Sequence, residues 1–163
     1  MKTAIYPGSF DPITLGHLNI IRRAALIFDR VVVCVMVNAG KNPMFSLEER
    51  VKLIRKVVDR FPNVEVDTSS MLLARYAENY EGAVIVKGLR AVSDFESEFQ
   101  MALINKKMNP ALDTIFLTAS EKYTYLSSSV VKEMARYGAD LKEFVPVEII
   151  DDLLNKISEG DKK

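Results

Sequence analysis

The sequence predicts an α/β protein on a doubly wound, five-stranded parallel sheet. Two observations carry this. Short runs apolar on both faces, such as Val31-Val32-Val33-Cys34-Val35, alternate with longer stretches whose apolar residues recur at three- and four-residue spacing. Strands buried on both faces and separated by helices belong in a parallel sheet covered on both sides. The unusual residues (glycines, the lone histidine, isolated cations and a serine triplet) also fall directly after the strands, where ligands bind in such sheets.

In order, Thr3–Tyr6 is a strand and Leu18–Phe28 has helical spacing, its helix opening near Gly16 behind a cap at Thr14. Arg30–Val37 is a β-branched strand and Leu47–Phe61 a helix, started by a capping box at Ser46-Leu47-Glu48-Glu49. Val64–Val66 is a third strand, Ala74–Asn79 ends a further helix, and Ala83–Lys87 is a fourth strand. Val92–Lys107 is a long helix, with a second capping box expected at Ser93-Asp94-Phe95-Glu96. Its apolar residues Phe95, Phe99, Met101, Ala102 and Ile104 are read mainly as core. Asp113–Thr118 is the fifth strand, and helices over Val130–Tyr137 and Val147–Ile157 follow, Pro146 suiting the first turn of the last. One domain is expected over residues 1–163, with 158–163 a frayed polar tail.

The 163 residues carry 22 basic and 22 acidic side chains and no net charge, which speaks against a nucleic-acid binder. One cysteine, Cys34, cannot form an intrachain disulfide, so a reducing, cytoplasmic setting is expected and the thiol is read as buried structure. No apolar stretch approaches a membrane span, and the N-terminus reads as a strand rather than a signal peptide.

After the first strand comes Tyr6-Pro7-Gly8-Ser9-Phe10-Asp11, leading to Thr14-Leu15-Gly16-His17 at the start of a helix. A helix N-terminus attracts anions, and the sole histidine sits in that first turn, although a lone histidine is more often simply packed. Lys41 follows the second strand, Lys87-Gly88-Leu89-Arg90 the fourth, and Ser127-Ser128-Ser129 opens a helix after the fifth. Each signal alone is an ordinary turn, cap or surface charge. Together they place Ser9, His17, Lys41, Lys87, Arg90 and Ser127, Ser128 and Ser129 at one sheet edge, as a polyphosphate site would require. The set supplies cations, amides and hydroxyls without a nucleophile-plus-base pair, so it suits direct displacement at phosphorus.

Thr14-Leu15-Gly16-His17 resembles the T/H-x-G-H signature of the nucleotidyltransferase superfamily, and Ser127-Ser128-Ser129 its triphosphate-holding second signature. Tyr6–Thr14, Pro43–Arg50, Gly88–Glu96 and Leu126–Glu133 are similar to the corresponding blocks of the phosphopantetheine adenylyltransferase family, in order and spacing, from residue 2 to about residue 157. The resemblance implies a Rossmann-like nucleotidyltransferase fold and a reaction in which ATP and 4′-phosphopantetheine give dephospho-coenzyme A and pyrophosphate, with magnesium on the triphosphate, in a homohexamer. It also implies roles. His17 would stabilise charge at the α-phosphate, Ser9 and Phe10 would meet phosphates, and Lys41 and Lys87 would hold the acceptor phosphate. Gly88, Leu89 and Arg90 would contact ATP, with Arg90 on its phosphates and Glu98 near the nucleotide. Tyr123, Thr124, Tyr125, Leu126, Ser127, Ser128 and Ser129 would form the adenine and triphosphate loop. Leu73 and Asn105 would line the pantetheine arm. Lys87 stands where members often have arginine, and Met71 where a small or acidic residue is common. The rival readings are another small-molecule nucleotidyltransferase, acting on nicotinate mononucleotide or glycerol phosphate, and a non-catalytic nucleotide sensor.

Overall fold

The computed structural model describes residues 1–160. Five strands, β1 (Thr3–Gly8), β2 (Arg30–Met36), β3 (Val64–Ser69), β4 (Val84–Leu89) and β5 (Asp113–Thr118), form one parallel sheet in the order β3-β2-β1-β4-β5. The order reverses between β1 and β4, the switch point at which an open α/β sheet binds its ligands. The pairing there is short. β1 and β2 stay in register from Thr3 to Gly8, whereas β1 and β4 pair only at Ala4 with Val84 and Ile5 with Ile85. Past Ile5 the two central strands splay, and a cleft opens between their carboxyl ends.

Helices α1 (Leu15–Ile27), α2 (Leu47–Val58), α5 (Ser128–Arg136) and α6 (Ile150–Gly160) share the larger core, built on Tyr6, Ile20, Ile21, Val31, Val33, Ile54, Val131 and Leu153. The opposite face carries a smaller core of Ile5, Val32, Cys34, Ala74, Tyr76 and Ile85 under the short α3 (Leu73–Tyr76). Ser46 and Glu49 form the expected capping box on α2, and Ser127 caps α5 by accepting the Val130 N–H. Helix α6 continues through Gly160, and the remainder of the expected frayed tail, residues 161–163, lies outside the described residues.

Three local expectations are corrected. The second capping box does not form: α4 (Val92–Met108) starts with Ala91 at the cap, so Ser93 falls inside the first turn and Asp94 reaches back to Arg90 instead. Pro146 stands before a 3-10 turn, Val147–Ile149, rather than inside the helix, its extended backbone serving as the entry. The apolar residues of α4 are not core: Phe95, Phe99, Met101 and Ile104 are 41–49% exposed. They are spread around the helix instead of striped, and α4 meets the rest of the chain on a narrow strip whose one fully buried residue is Asn105.

Cys34 is fully buried, with its thiol pushed up to about 11 by burial. It is expected to resist iodoacetamide in the native protein. Inactivation by the reagent that Cys34→Ser abolished would show the reading wrong. Among the described residues, no helix is long and apolar enough to cross a membrane.

Candidate active site

The splayed end of β1 leads into a loop under tight control. Phe10 has φ of 49°, in the left-handed region that costs a non-glycine residue about 1–3 kcal/mol. Its ring is nonetheless buried and meets His17 edge-on at 5.0 Å between centroids. A Cβ on Gly8 would stand 3.0 Å from that ring, so glycine is needed at this close approach. Neighbours hold the loop: Arg50 Nη1 donates to the Ser9 carbonyl at 2.9 Å, and the Asp11 carboxylate accepts from the Met44 and Phe45 amides and from Lys132.

His17 is set by its own helix. The Thr14 N–H donates to His17 Nδ1 at 3.0 Å, and the His17 N–H donates to Thr14 Oγ1 at 3.2 Å, a capping box with histidine in the position usually held by Glu or Gln. Because Nδ1 accepts, the proton of the neutral ring is on Nε2, and an N–H donor remains for the cleft that His17 lines. Burial first, then the charges of Arg90 and Lys87, drive the imidazolium pKa from 6.5 down to about 4. His17 is therefore a neutral donor at working pH. NMR of the ring nitrogens is expected to show the Nε2–H tautomer without protonation near pH 6.5, and an imidazolium at that pH would contradict it. Between pH 6.5 and about 4 the unfolded chain takes up a proton that the folded chain refuses, so stability should fall as pH drops through that window, and fall less in His17→Gln.

The cleft, of about 240 Å³, is walled by His17 and Gly16 from α1, Lys87, Gly88 and Arg90 from β4 and its following loop, and Ser127 at the start of α5. A Cβ on Gly88 would approach Ile20 Cγ1 to 2.9 Å, so glycine lets the end of β4 close onto α1 one turn beyond His17. Both cations are held by carboxylates. Lys87 Nζ lies 3.0 Å from Glu98, and Arg90 pairs with Asp94 while donating to the Leu126 carbonyl at 2.6 Å. A second cleft, of about 420 Å³, adjoins the first through Ser128 and carries Ser9, Lys41, Ser129, Arg50 and Lys132.

A cytidylyltransferase-like family model matches residues 5–134. A phosphopantetheine adenylyltransferase from Caldanaerobacter subterraneus subsp. tengcongensis is 54% identical over 160 residues, covering 98% of this chain and all of that one. One from Alkaliphilus metalliredigens is 56% identical, covering 97% of this chain and all of that one. The chain belongs to the phosphopantetheine adenylyltransferases. A crystal structure of a putative nicotinate-nucleotide adenylyltransferase from Vibrio parahaemolyticus superposes with a TM-score of 0.69 at 19% identity, covering 95% of each chain, and shows that the Rossmann-like fold is shared.

For a phosphopantetheine adenylyltransferase, the predicted site residues fall into three groups. Phe10, His17, Lys87, Gly88, Arg90, Glu98, Tyr123, Leu126, Ser127 and Ser128 line the first cleft, while Ser9, Lys41 and Ser129 line the second. Leu89, Thr124 and Tyr125 line neither: the Leu89 carbonyl accepts from Ala119, Thr124 closes its own turn onto Glu121, and Tyr125 meets Phe144 edge-on. Leu73 and Asn105 line neither cleft; they sit on α3 and α4, which pack together beneath the sheet. Sequence reasoning missed Asp11, Arg50, Asp94 and Lys132. All four have a sequence clue, since Asp11, Arg50, Asp94 and Lys132 lie inside the blocks that carry the family resemblance.

Proposed function

We propose that the chain transfers the adenylyl group of ATP to 4′-phosphopantetheine, releasing pyrophosphate and forming dephospho-coenzyme A. Family membership supports the reaction, and the observation that carries the mechanism is the neutral His17 with its proton on Nε2. The acceptor phosphate is already anionic, so in-line attack on the α-phosphate needs no general base, and no catalytic base is required of the cleft. What the reaction requires is charge stabilisation and alignment. His17 Nε2–H donates to an α-phosphate oxygen as negative charge grows there. Arg90 and the hydroxyls and amides at the start of α5 hold the leaving pyrophosphate. Lys41 and Lys87 hold the acceptor phosphate in line.

Lys87 is engaged by Glu98 and Arg90 by Asp94; an incoming phosphate exchanges with Glu98 at Lys87, whereas Arg90 keeps its Asp94 contacts and offers its remaining N–H groups. Because those two cleft carboxylates are already engaged, magnesium would travel on the triphosphate and be held by phosphate oxygens and water. Ser9 and Phe10 meet phosphates from the β1 loop, Glu98 stands beside the nucleotide, and Tyr123, Thr124, Tyr125 and Leu126 frame the adenine. Leu73 and Asn105 belong to the pantetheine arm, which would extend along the α3–α4 seam. The exposed aromatic face of α4, where Phe95 stacks on Phe99 at 5.4 Å, would be covered by other copies in a homohexamer. A cytoplasmic setting fits the soluble substrates and the reduced Cys34.

The test is pyrophosphate release from ATP and magnesium with 4′-phosphopantetheine, nicotinate mononucleotide or glycerol phosphate. Release with 4′-phosphopantetheine alone, matched by dephospho-coenzyme A, is expected. Release with another acceptor would reassign the substrate. No release from a folded protein that still binds ATP would favour the sensor reading.

A further inference from the structure

Arg90 is 40% exposed along its side chain and sits on a loop, yet it is held in one geometry. Asp94, one helical turn further on, makes three contacts to it. Asp94 Oδ2 accepts from the Arg90 backbone N–H and from Nε, both at 3.0 Å, and Oδ1 accepts from Nη2 at 3.2 Å. The Leu126 carbonyl takes Nη1 at 2.6 Å. A guanidinium has five N–H groups in one plane. Three are committed to protein acceptors, which leaves one on Nη1 and one on Nη2. Arg90 thereby ties the loop after β4 to the loop before the serines, and Asp94 sets the plane of its fork.

We propose that Asp94 is the positioning residue for Arg90, fixing the guanidinium so that its two remaining N–H groups meet the phosphates of the nucleotide. Three features separate this from a surface ion pair. The contact is bidentate, which imposes an orientation as well as a charge. The same carboxylate grips the Arg90 main chain, so backbone and side chain are fixed together. Both residues line the cleft. Asp94 is also distinct from its neighbour Glu98, whose contact to Lys87 is a single one that an incoming phosphate can replace. Losing Asp94 would release several rotatable bonds in Arg90, and misplacement by about 1 Å near a reacting centre costs about 100-fold in rate.

The inference rests on the adenylyltransferase reading, and the wild-type assay separates the two: an inactive wild-type protein defeats that reading, whereas the variants below test Asp94 only against an active one. Asp94→Asn keeps the size but loses the charge and one acceptor. Its kcat is expected to fall about 10- to 100-fold, with KM for ATP within about threefold of wild type. Asp94→Glu, which restores the charge on a longer arm, should recover part of the loss, and it serves as the second variant if Asp94→Asn folds poorly. In an Arg90→Ala background the Asp94→Asn change should cost nothing more, since a positioning residue acts only through its partner. Thermal melts of all variants check that the loss of kcat is not loss of folded protein. Asp94→Asn kcat within about twofold of wild type, no recovery in Asp94→Glu, or effects that multiply in the double variant would each overturn the proposal.

Discussion

His17→Ala is expected to lower turnover by about 100- to 1,000-fold while leaving ATP affinity within several-fold of wild type. Ground-state phosphates are held mainly by the cations and by the start of α5, so losing one neutral donor should barely change ATP binding. Charge builds on the α-phosphate oxygens only as the acceptor attacks, and an interaction that strengthens at that point appears in kcat. His17 also has a structural duty, since Nδ1 accepts the Thr14 N–H at 3.0 Å, and alanine would remove that half of the capping box at a cost of about 1 kcal/mol. The two roles separate in His17→Gln. Glutamine at this helix position can accept the same N–H, so it should restore the melting temperature, but its flexible amide lacks the rigid ring that fixes a donor at Nε2, so most of the rate loss should remain. Near-normal turnover in His17→Ala, or a rate loss that glutamine repairs together with stability, would remove His17 from the chemistry.

The strands and most helices were legible because their signals are local. β-branched runs bounded by glycine and polar residues gave all five strands, and Ser46 with Glu49 spelled a helix start that the structure contains. The failures are informative. Ser93 and Glu96 have the spacing of Ser46 and Glu49, but Asp94 between them finds Arg90, and the helix begins earlier on an alanine. The α4 face reads as core by composition alone, because a sequence shows which residues are apolar but not how narrow the strip is that touches the sheet. The site was half legible. His17, Lys87, Arg90 and the serines stand out because each follows a strand. Arg50 and Asp11 do not, since a buried charge and a solvated one look alike until a partner distant in sequence is known: Arg50 meets the Ser9 carbonyl, and Asp11 meets Lys132. The Arg90–Asp94 pair was within reach, being a four-residue spacing across a helix start.

Asp11 is where the largest loss of stability is expected. Its side chain is 8% exposed, and its carboxylate accepts from the Phe45 amide at 2.8 Å and from the Met44 amide and Lys132 Nζ, each at 2.9 Å. Burial alone would raise its pKa, but the Phe45 amide, Lys132 and the Met44 amide outweigh burial and hold it below the usual carboxylate value. Asp11→Ala strands a partly buried ammonium and two amides, and breaking a buried pair in this way costs about 3–5 kcal/mol. The urea midpoint should drop accordingly. Asp11→Asn, which keeps the shape and one acceptor oxygen, should lose less. Activity should fall further than the folded fraction explains, because the carboxylate joins the β1 loop, the segment after β2 and α5, and so sets Phe10 against His17. The same clamp closes the loop in which Phe10 holds its unfavourable φ. Asp11→Ala with a near-wild-type urea midpoint would mean that the Arg50 contact to Ser9 suffices to hold the loop, and that Asp11 merely occupies a site other contacts have already built.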